Sequence, residues 1–270
     1  MERLALARSP IWLAMLVIMI LAEMVWRIRS GRGYDARTAM ATLGVALGGL
    51  PFAAINALVI GGGYSLIWRH ALVHWPLHDW RTWVAGFVAV EFAYYWFHRA
   101  SHRIAWLWAT HSVHHSAQQM TLLSSIRLGW TNLLSAGWII YAPLVAAGFD
   151  PRLVVALLAF DLRYQFFLHT EAVGRLGVLE WVLNTPAHHR VHHASNAAYL
   201  DCNYGGVVII FDRLFGTHRA QRRDEPLRYG LAEEQRSNNP LWIALGGWPR
   251  LLAGMIRSGR PLRKAVSPPG

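Results

Sequence analysis

Cysteine is almost missing from this chain: Cys202 is the only one among 270 residues. No intramolecular disulfide can form, and thiolate zinc sites and iron–sulfur clusters, which need several cysteines, are excluded. Acidic residues are scarce too, 15 against 26 lysines and arginines, which leaves a net charge of +11. Such an excess suits anionic lipid or nucleic acid. No nucleic-acid recognition motif accompanies it, so no nucleic-acid partner is expected. The string His-Glu-x-x-His does not occur, which removes the zinc-protease reading, and there is neither a glycine-rich phosphate loop nor a dinucleotide fingerprint. Any redox chemistry must therefore draw electrons from another protein or a diffusible donor.

Apolar residues fill the space that charge leaves. They make up 54% of the chain, with 14 tryptophans among them. Ile11–Val25 is almost wholly apolar, with Glu23 its only charge and Trp12 and Trp26 near its ends, the pattern of a membrane span with interfacial aromatics. No small-residue cleavage site follows it, so it reads as an anchor rather than a removed signal. Further apolar stretches run over Ala39–Ile60, Trp83–Phe97, Leu133–Phe149 and Leu153–Leu168. A tilted span needs about 17–25 residues, so the shorter stretches are spans or re-entrant segments. The pattern predicts an all-α integral membrane protein with about four to five transmembrane helices and a cytosolic, histidine-lined helical cap.

Positive charge orients these spans. Arg27, Arg29, Arg32 and Arg37 follow the first one directly. A second cluster runs through Arg213, Arg219, Arg222, Arg223 and Arg228 and resumes at Arg250, Arg257, Arg260, Arg263 and Lys264. Juxtamembrane arginine and lysine mark a cytoplasmic face. With residues 27–37 on that face, the second stretch exits and the third returns, placing His98 at its cytoplasmic end. The last two then form a hairpin turning at Gly148-Phe149-Asp150-Pro151, which brings His169 back to the same side. The expectation is a multi-pass protein of the bacterial inner membrane with its histidines facing the cytoplasm. Its parts are membrane helices and a connecting loop over 1–82, a histidine-bearing domain over 83–217 and a basic cytosolic or interfacial tail over 218–270. Within the tail, Leu241–Ile256 is a candidate interfacial helix, interrupted by Pro249.

Ten of the 14 histidines fall into tight groups: His98 and His102; His111, His114 and His115; His169; and His188, His189, His192 and His193. The string His-x-x-His-His occurs twice, at 111–115 and 189–193. On a helix, positions i, i+3 and i+4 share a face, so each string aims three imidazoles in one direction. Imidazole nitrogen suits iron, zinc, copper and nickel. Two such triplets beside the His98/His102 pair and His169 predict one site holding more than one metal ion. His188 is rotated by about 100° from the 189/192/193 face and is either a ligand or a support behind one.

Other residues extend these stripes. Glu91 and Tyr95 lie two turns and one turn before His98, on the helical face that His98 and His102 share. A carboxylate within an apolar span needs a partner, either a ligating imidazole or a donor on a neighbouring span. Asp161, Gln165 and His169 repeat the spacing, and Gln165 could hold a water or orient His169. His70, His74 and His78 share helical spacing too, but the topology puts them on the opposite side among Trp68, Trp75 and Trp80, as interfacial anchors. His218 reads as a surface residue.

The arrangement His98-x-x-x-His102, His111-x-x-His114-His115 and His189-x-x-His192-His193 resembles that of the membrane fatty acid hydroxylase/sterol desaturase superfamily over Trp83–Thr217. So do Tyr94–Arg99, Thr185–His193, Tyr199–Gly206 and Phe211–Thr217. Within it, Tyr164–Glu171 and the 188–217 block are most similar to the alkylglycerol monooxygenase-like subgroup and its bacterial members. The resemblance implies two iron ions, with zinc as a substitute metal, held by His98, His102, His111, His114, His115, His169, His189, His192 and His193. It implies O2 as co-substrate, a lipid as substrate and no catalytic residue apart from the ligands. Electrons would come from a cytochrome, a ferredoxin with its reductase, or a pterin. His188, Glu91, Asp161, Gln165, Asp201 and Asn203 would support the ligands or stand as further ones.

The expected activity is O2-dependent hydroxylation of a C–H bond in a fatty acyl, alkyl-ether or sterol-type lipid. An all-histidine shell is neutral, so bound metals keep their positive charge and accept electrons readily. The alternatives are a sterol or acyl-chain desaturase using the same site, and a histidine-rich metal-binding membrane protein without oxygenase activity. A transporter would place its ligands near the bilayer midplane, whereas these cluster at span ends and in loops.

Overall fold

Side-chain caps set where four of the helices begin. The computed structural model describes residues 10–222, 224–231 and 236–269; Arg223 of the second basic cluster lies outside them. Helix α1 spans Pro10–Arg29, α2 Ala36–Gly48, α3 Leu50–Arg69, α4 Trp80–Arg103 and α5 Ala105–His115. Then come the short α6 (Asn132–Ser135) and α7 (Ala142–Ala146), the long α8 (Pro151–Leu168), and α9 (Pro186–His192). Last are α10 (Ile210–Leu214), α11 (Pro240–Leu245), α12 (Gly247–Ser258) and α13 (Pro261–Val266). The carboxylates of Asp35, Asp79 and Asp150 accept first-turn backbone N–H groups of α2, α4 and α8, and the Asn239 amide oxygen does so for α11. These caps satisfy donors that a helix start leaves free. Among the described residues, isolated antiparallel bridges at Leu183–Val208 and Ala194–Tyr229 are the only β pairing.

Two helices among the described residues, α1 and α3, are long and apolar enough to cross a membrane. Only 11% of the α1 window and 6% of the α3 window is buried against the rest of the chain, so neither is the core helix of a water-soluble domain. Their outward leucines and isoleucines need an apolar surrounding. Other outward apolar rows, such as Trp83, Val84, Val88, Phe92 and Trp96 on α4 and Val155 and Leu162 on α8, continue that surface.

Two expected stretches are broken. Ala39–Ile60 is divided between α2 and α3 at Gly49, with Pro51 in the first turn of α3. Proline has no N–H and crowds the carbonyl four residues back, so one helix cannot run through it. Leu133–Phe149 is α6, a 3-10 turn at Gly137–Tyr141 and α7, because Ala136 takes a left-handed φ of 59° and Pro143 restarts the chain. The turn at 148–151 falls where the sequence places it. Gly148, at φ 98°, lies so close to the Val73 carbonyl that a Cβ would sit 2.0 Å from its oxygen. In the tail, Pro249 lies in the first turn of α12, where a missing N–H costs nothing; the helical interruption is at Gly246 instead.

The core brings α4 against α8 through Val90, Ala93, Leu153, Val154 and Leu157, closed by Tyr64, Tyr141 and Val145. Helix α5 is held from two sides, by Ala41, Val45 and Ile243 on Val113, and by Trp248 and Leu251 on Ala105 and Ala109. At 1.5 Å per residue, α8 is about 27 Å long, so its two ends define the two ends of the bundle. The 70–79 loop binds the Gly148 end, with the Trp75 N–H donating to the Gly148 carbonyl and its indole to Ala147. His169 caps the other end. His70, His74 and His78 are thus a bundle length from the other histidines, and His74 contacts the Trp68 carbonyl.

The polar end of α1 docks beside His169. Glu23 accepts the Leu122 N–H at 2.6 Å and a short hydrogen bond from the Thr170 hydroxyl. Arg27 pairs with Glu171 at 2.6 Å and donates to the Met120 and Gly33 carbonyls. The lone carboxylate of the first apolar stretch is therefore a tether to the histidine end.

Candidate metal centre

Four segments converge at that end. The last turns of α4 supply His98 and His102, and α5 supplies His111, His114 and His115. The end of α8 supplies His169, and α9 with its cap supplies His189, His192 and His193. The nine rings separate into two groups: His98, His102, His111, His115 and His192; and His114, His169, His189 and His193. Within each group the ring nitrogens able to bind metal lie within 4.8 Å of one another. The groups touch, with His115 stacked on His193 at 4.3 Å between ring centroids.

Backbone carbonyls fix how these rings face. The Nδ1 of His98 lies 2.9 Å from the Tyr204 carbonyl and that of His192 lies 2.8 Å from Cys202. His169 Nδ1 is 2.7 Å from the Gln165 carbonyl and His114 Nδ1 is 3.3 Å from Arg127. A carbonyl can only accept, so each Nδ1 carries the proton and each Nε2 presents a lone pair inward. The consequence is sharpest at His114 and His169, whose Nε2 atoms are 3.1 Å apart with both Nδ1 protons engaged elsewhere. Two lone pairs at that distance repel unless a cation lies between them or one ring is protonated. Burial opposes protonation: it pushes His114 and His192 down to about 4 and holds His111, His115, His169, His189 and His193 well below the usual imidazole range. The Nε2 atoms of His102, His115, His192 and His193 are buried with no hydrogen-bond partner among the described residues. Neutral imidazoles with inward, unshared lone pairs are what a borderline transition-metal ion binds, so the residues present fit a pair of such ions.

The other residues singled out by the sequence sit behind this cage, in ways the sequence did not define. Glu91 does not meet an imidazole: its Oε2 accepts the N–H groups of Val207 and Val208, each at 2.9 Å. Asp161 accepts from the Gln165 amide at 2.9 Å, and Gln165 in turn accepts the Tyr94 hydroxyl. Gln165 orients His169 through its backbone oxygen, not its side chain. A Cβ at Gly206 would stand 2.1 Å from Asp161 Oδ1, so only glycine lets that loop close on α8. Asn203 binds the His188 and Arg219 carbonyls and takes φ 55°, and Asp201 pairs with Arg103 at 2.9 Å away from the cage. His188 turns away from the nine rings, its Nε2 lying 3.3 Å from that of His218. His218 is therefore a partner of His188, not simply a surface residue.

Several residues of the cage escaped the sequence reading because they act through backbone atoms. Tyr204, Cys202 and Arg127 each give a carbonyl to a ring, and the Tyr204 ring also packs against His98, His102 and His192. Asp212 positions Tyr204 and Gly205 by accepting both their N–H groups at 2.7 Å. Arg127 is almost fully buried and donates to Thr42, Ser116 and the Thr38 carbonyl, fastening the His114 loop to α2. A lone arginine in an otherwise uncharged loop was the only available signal. Cys202 lies 3.0 Å from the Tyr199 carbonyl, and burial pushes its thiol from 9.0 to about 12. The thiolate is the reactive form. Iodoacetamide should therefore alkylate the native chain at pH 8 roughly a thousandfold more slowly than the urea-unfolded chain. Equal rates would show that Cys202 is accessible and the loop is open.

An all-helical chain with exposed apolar helices and two facing histidine groups defines a class, the helical histidine-cage proteins of membranes. The family model described as Fatty acid hydroxylase matches residues 83–217, half of the chain, and the chain belongs to that family. It is 36% identical over 237 residues to alkylglycerol monooxygenase of Homo sapiens, covering 87% of this chain and 52% of the human one. Against alkylglycerol monooxygenase of Danio rerio it is 43% identical over 169 residues, 62% of this chain and 37% of the other. Against ornithine lipid hydroxylase OlsE of Rhizobium tropici it is 26% identical over 243 residues, 88% of this chain and 70% of the other. The chain spans about half the length of the human and Xenopus tropicalis alkylglycerol monooxygenases it matches. No solved structure matches it.

Proposed function

We propose that this chain is an integral-membrane, O2-dependent lipid hydroxylase whose nine caged histidines hold two iron ions. The observation that carries the reading is the pair of facing lone pairs at His114 and His169, repeated around a buried cage of neutral imidazoles. His98, His102, His111, His115 and His192 would hold one ion, and His114, His169, His189 and His193 the other. Bound iron would supply the activation of O2 needed to attack an unactivated C–H bond. Zinc would occupy the same donors without that chemistry.

The chain's own residues do the rest. Carbonyls of Tyr204, Cys202, Gln165 and Arg127 keep four Nε2 atoms aimed inward, so no proton has to leave on metal binding. Burial of the rings excludes bulk water, which protects a reactive centre from side reactions. The apolar outer faces of α1, α3, α4 and α8 support four membrane spans, which would bring a lipid chain to the site from the bilayer. Arginines at the histidine end, Arg27 and Arg32 beside Glu171 among them, support a cytoplasmic orientation in a bacterial inner membrane. The relatives' names point to ether-linked or ornithine lipids as the first substrates to try, with electrons from an external donor.

The test is to load the purified full-length chain with iron and measure metal content and reductant-dependent oxygen uptake with an alkylglycerol and an ornithine lipid. Two irons per chain and uptake that yields a hydroxylated product are expected. Fewer than two metals, or tightly held zinc with no uptake under any reductant, would overturn the reading. A product with a new double bond would assign the desaturase chemistry instead.

A further inference from the structure

The carboxy-terminal helices carry a charged feature that the histidine cage does not use. From Arg236 to Pro269 there are six cations and no aspartate or glutamate. Three of them, Arg250, Arg257 and Lys264, line a cavity of about 180 Å3 together with Trp108 and Ser112 of α5. Among the described residues, no acidic one lines that cavity. Its other wall leads to the metal centre: the Trp108 ring lies 5.2 Å from the His102 ring and 5.5 Å from the His115 ring, centroid to centroid. One indole therefore separates a basic cavity from the five-histidine group.

Helical geometry decides which way the basic side faces. At 100° per residue, positions 250, 254 and 257 of α12 fall in one sector about 60° wide. Trp248 and Leu251 are buried against α5. Leu252 and Ile256, exposed to 49% and 81%, point roughly 150° away from the basic sector. An exposed apolar sector of this kind would rest on a membrane surface, and the cations on the far side of the same helix would then open to water. Lipid headgroups would meet the apolar sector, so the cations are placed for a soluble anionic partner. Complementary charge speeds such encounters and makes them salt-dependent.

We propose that this basic cavity docks an acidic one-electron donor protein and that Trp108 is the contact through which electrons reach the cage. The inference rests on the oxygenase reading, since only a redox metal pair needs electrons. Each encounter oxidises the donor by one electron and reduces the metal pair by one. Two encounters with two protons from water balance one hydroxylation, in which one oxygen atom of O2 enters the lipid and the other leaves as water.

The probe is an acidic [2Fe–2S] ferredoxin, used with the full chain in nanodiscs of neutral phosphatidylcholine. Zinc-loaded protein gives the binding readout without turnover. The wild type should bind oxidised ferredoxin more weakly as salt rises. The combined Arg250→Glu, Arg257→Glu and Lys264→Glu variant should lose at least about tenfold in affinity and most of the salt dependence. Arg257→Glu alone, at an exposed position, should show part of the loss, and Arg81→Glu at the far end of the bundle none. In iron-loaded protein, Trp108→Leu should slow reduction by ferredoxin while binding persists. Methyl viologen, a small dication that needs no basic site, should reduce the charge-reversal variants no more slowly than the wild type. Unchanged ferredoxin binding in both the combined and single variants overturns the docking site, as does a defect confined to anionic phosphatidylglycerol vesicles, which assigns the patch to lipid. A Trp108→Leu rate equal to wild type overturns the electron contact. A wild-type chain that methyl viologen cannot reduce overturns the oxygenase reading itself, a result separate from the binding titration.

Discussion

Replacing His114 with alanine is expected to remove one of two bound metal ions and abolish reductant-dependent oxygen uptake. His114 belongs to the four-histidine group, which has the fewest rings to spare. Its Nε2 faces that of His169 at 3.1 Å while its Nδ1 is engaged by Arg127. Loss of an outer partner of a metal ligand already costs about 10–100-fold in affinity, and loss of the ligand itself exceeds that. The five-histidine group should keep its ion, so stoichiometry falls from two to one rather than to none. His188→Ala is the matched contrast. That ring pairs with His218 and not with the cage, so the variant should retain both ions. Metal analysis after gel filtration, with oxygen uptake on the same samples, reads both effects. Two ions and full uptake in His114→Ala would sink the assignment of that group.

Replacing Glu91 with alanine should destabilise the fold as well as the site. Glu91 is almost fully buried, and its carboxylate is the acceptor for the Val207 and Val208 N–H groups. Each donor left buried and unpaired costs about 1–3 kcal/mol, so the pair costs about 2–6 kcal/mol. That is a large part of a typical total of about 5–15 kcal/mol and corresponds to a drop in melting temperature of roughly 5–20 °C. The loop concerned follows Tyr204, whose carbonyl holds His98, so metal affinity should fall with stability. Glu91→Gln keeps an acceptor oxygen and should recover most of both. Thermal unfolding and metal titration of the two variants decide it. A Glu91→Ala variant that melts and binds metal as the wild type does would show that the loop holds without its carboxylate.

The histidine spacing made the chemistry of this chain legible because helix periodicity is a local property. His98/His102, His111/His114/His115 and His189/His192/His193 share faces by spacing alone, whatever the rest of the chain does. Hydrophobic patterning likewise marked α1 and the α8 end of the hairpin. It misread residues 39–60 and 133–149, where Pro51 and Pro143 divide apolar stretches that look continuous by composition. Glu91 shows the same limit from the other side. Its burial could be inferred from the span around it, but its partners lie 116 and 117 residues away on a loop with no regular structure.

From residue types and spacing alone come the imidazole faces that suit a metal ion, the exclusion of multi-cysteine sites and the expectation of an external reductant. Only the tertiary structure sorted nine imidazoles into groups of five and four, turned His188 towards His218, and set which ring nitrogen faces inward. Those outcomes depend on contacts such as His98 with Tyr204, 106 residues apart, and His114 with His169, 55 apart. A side chain's type travels with the sequence, but the carbonyl that fixes its tautomer is brought to it by packing.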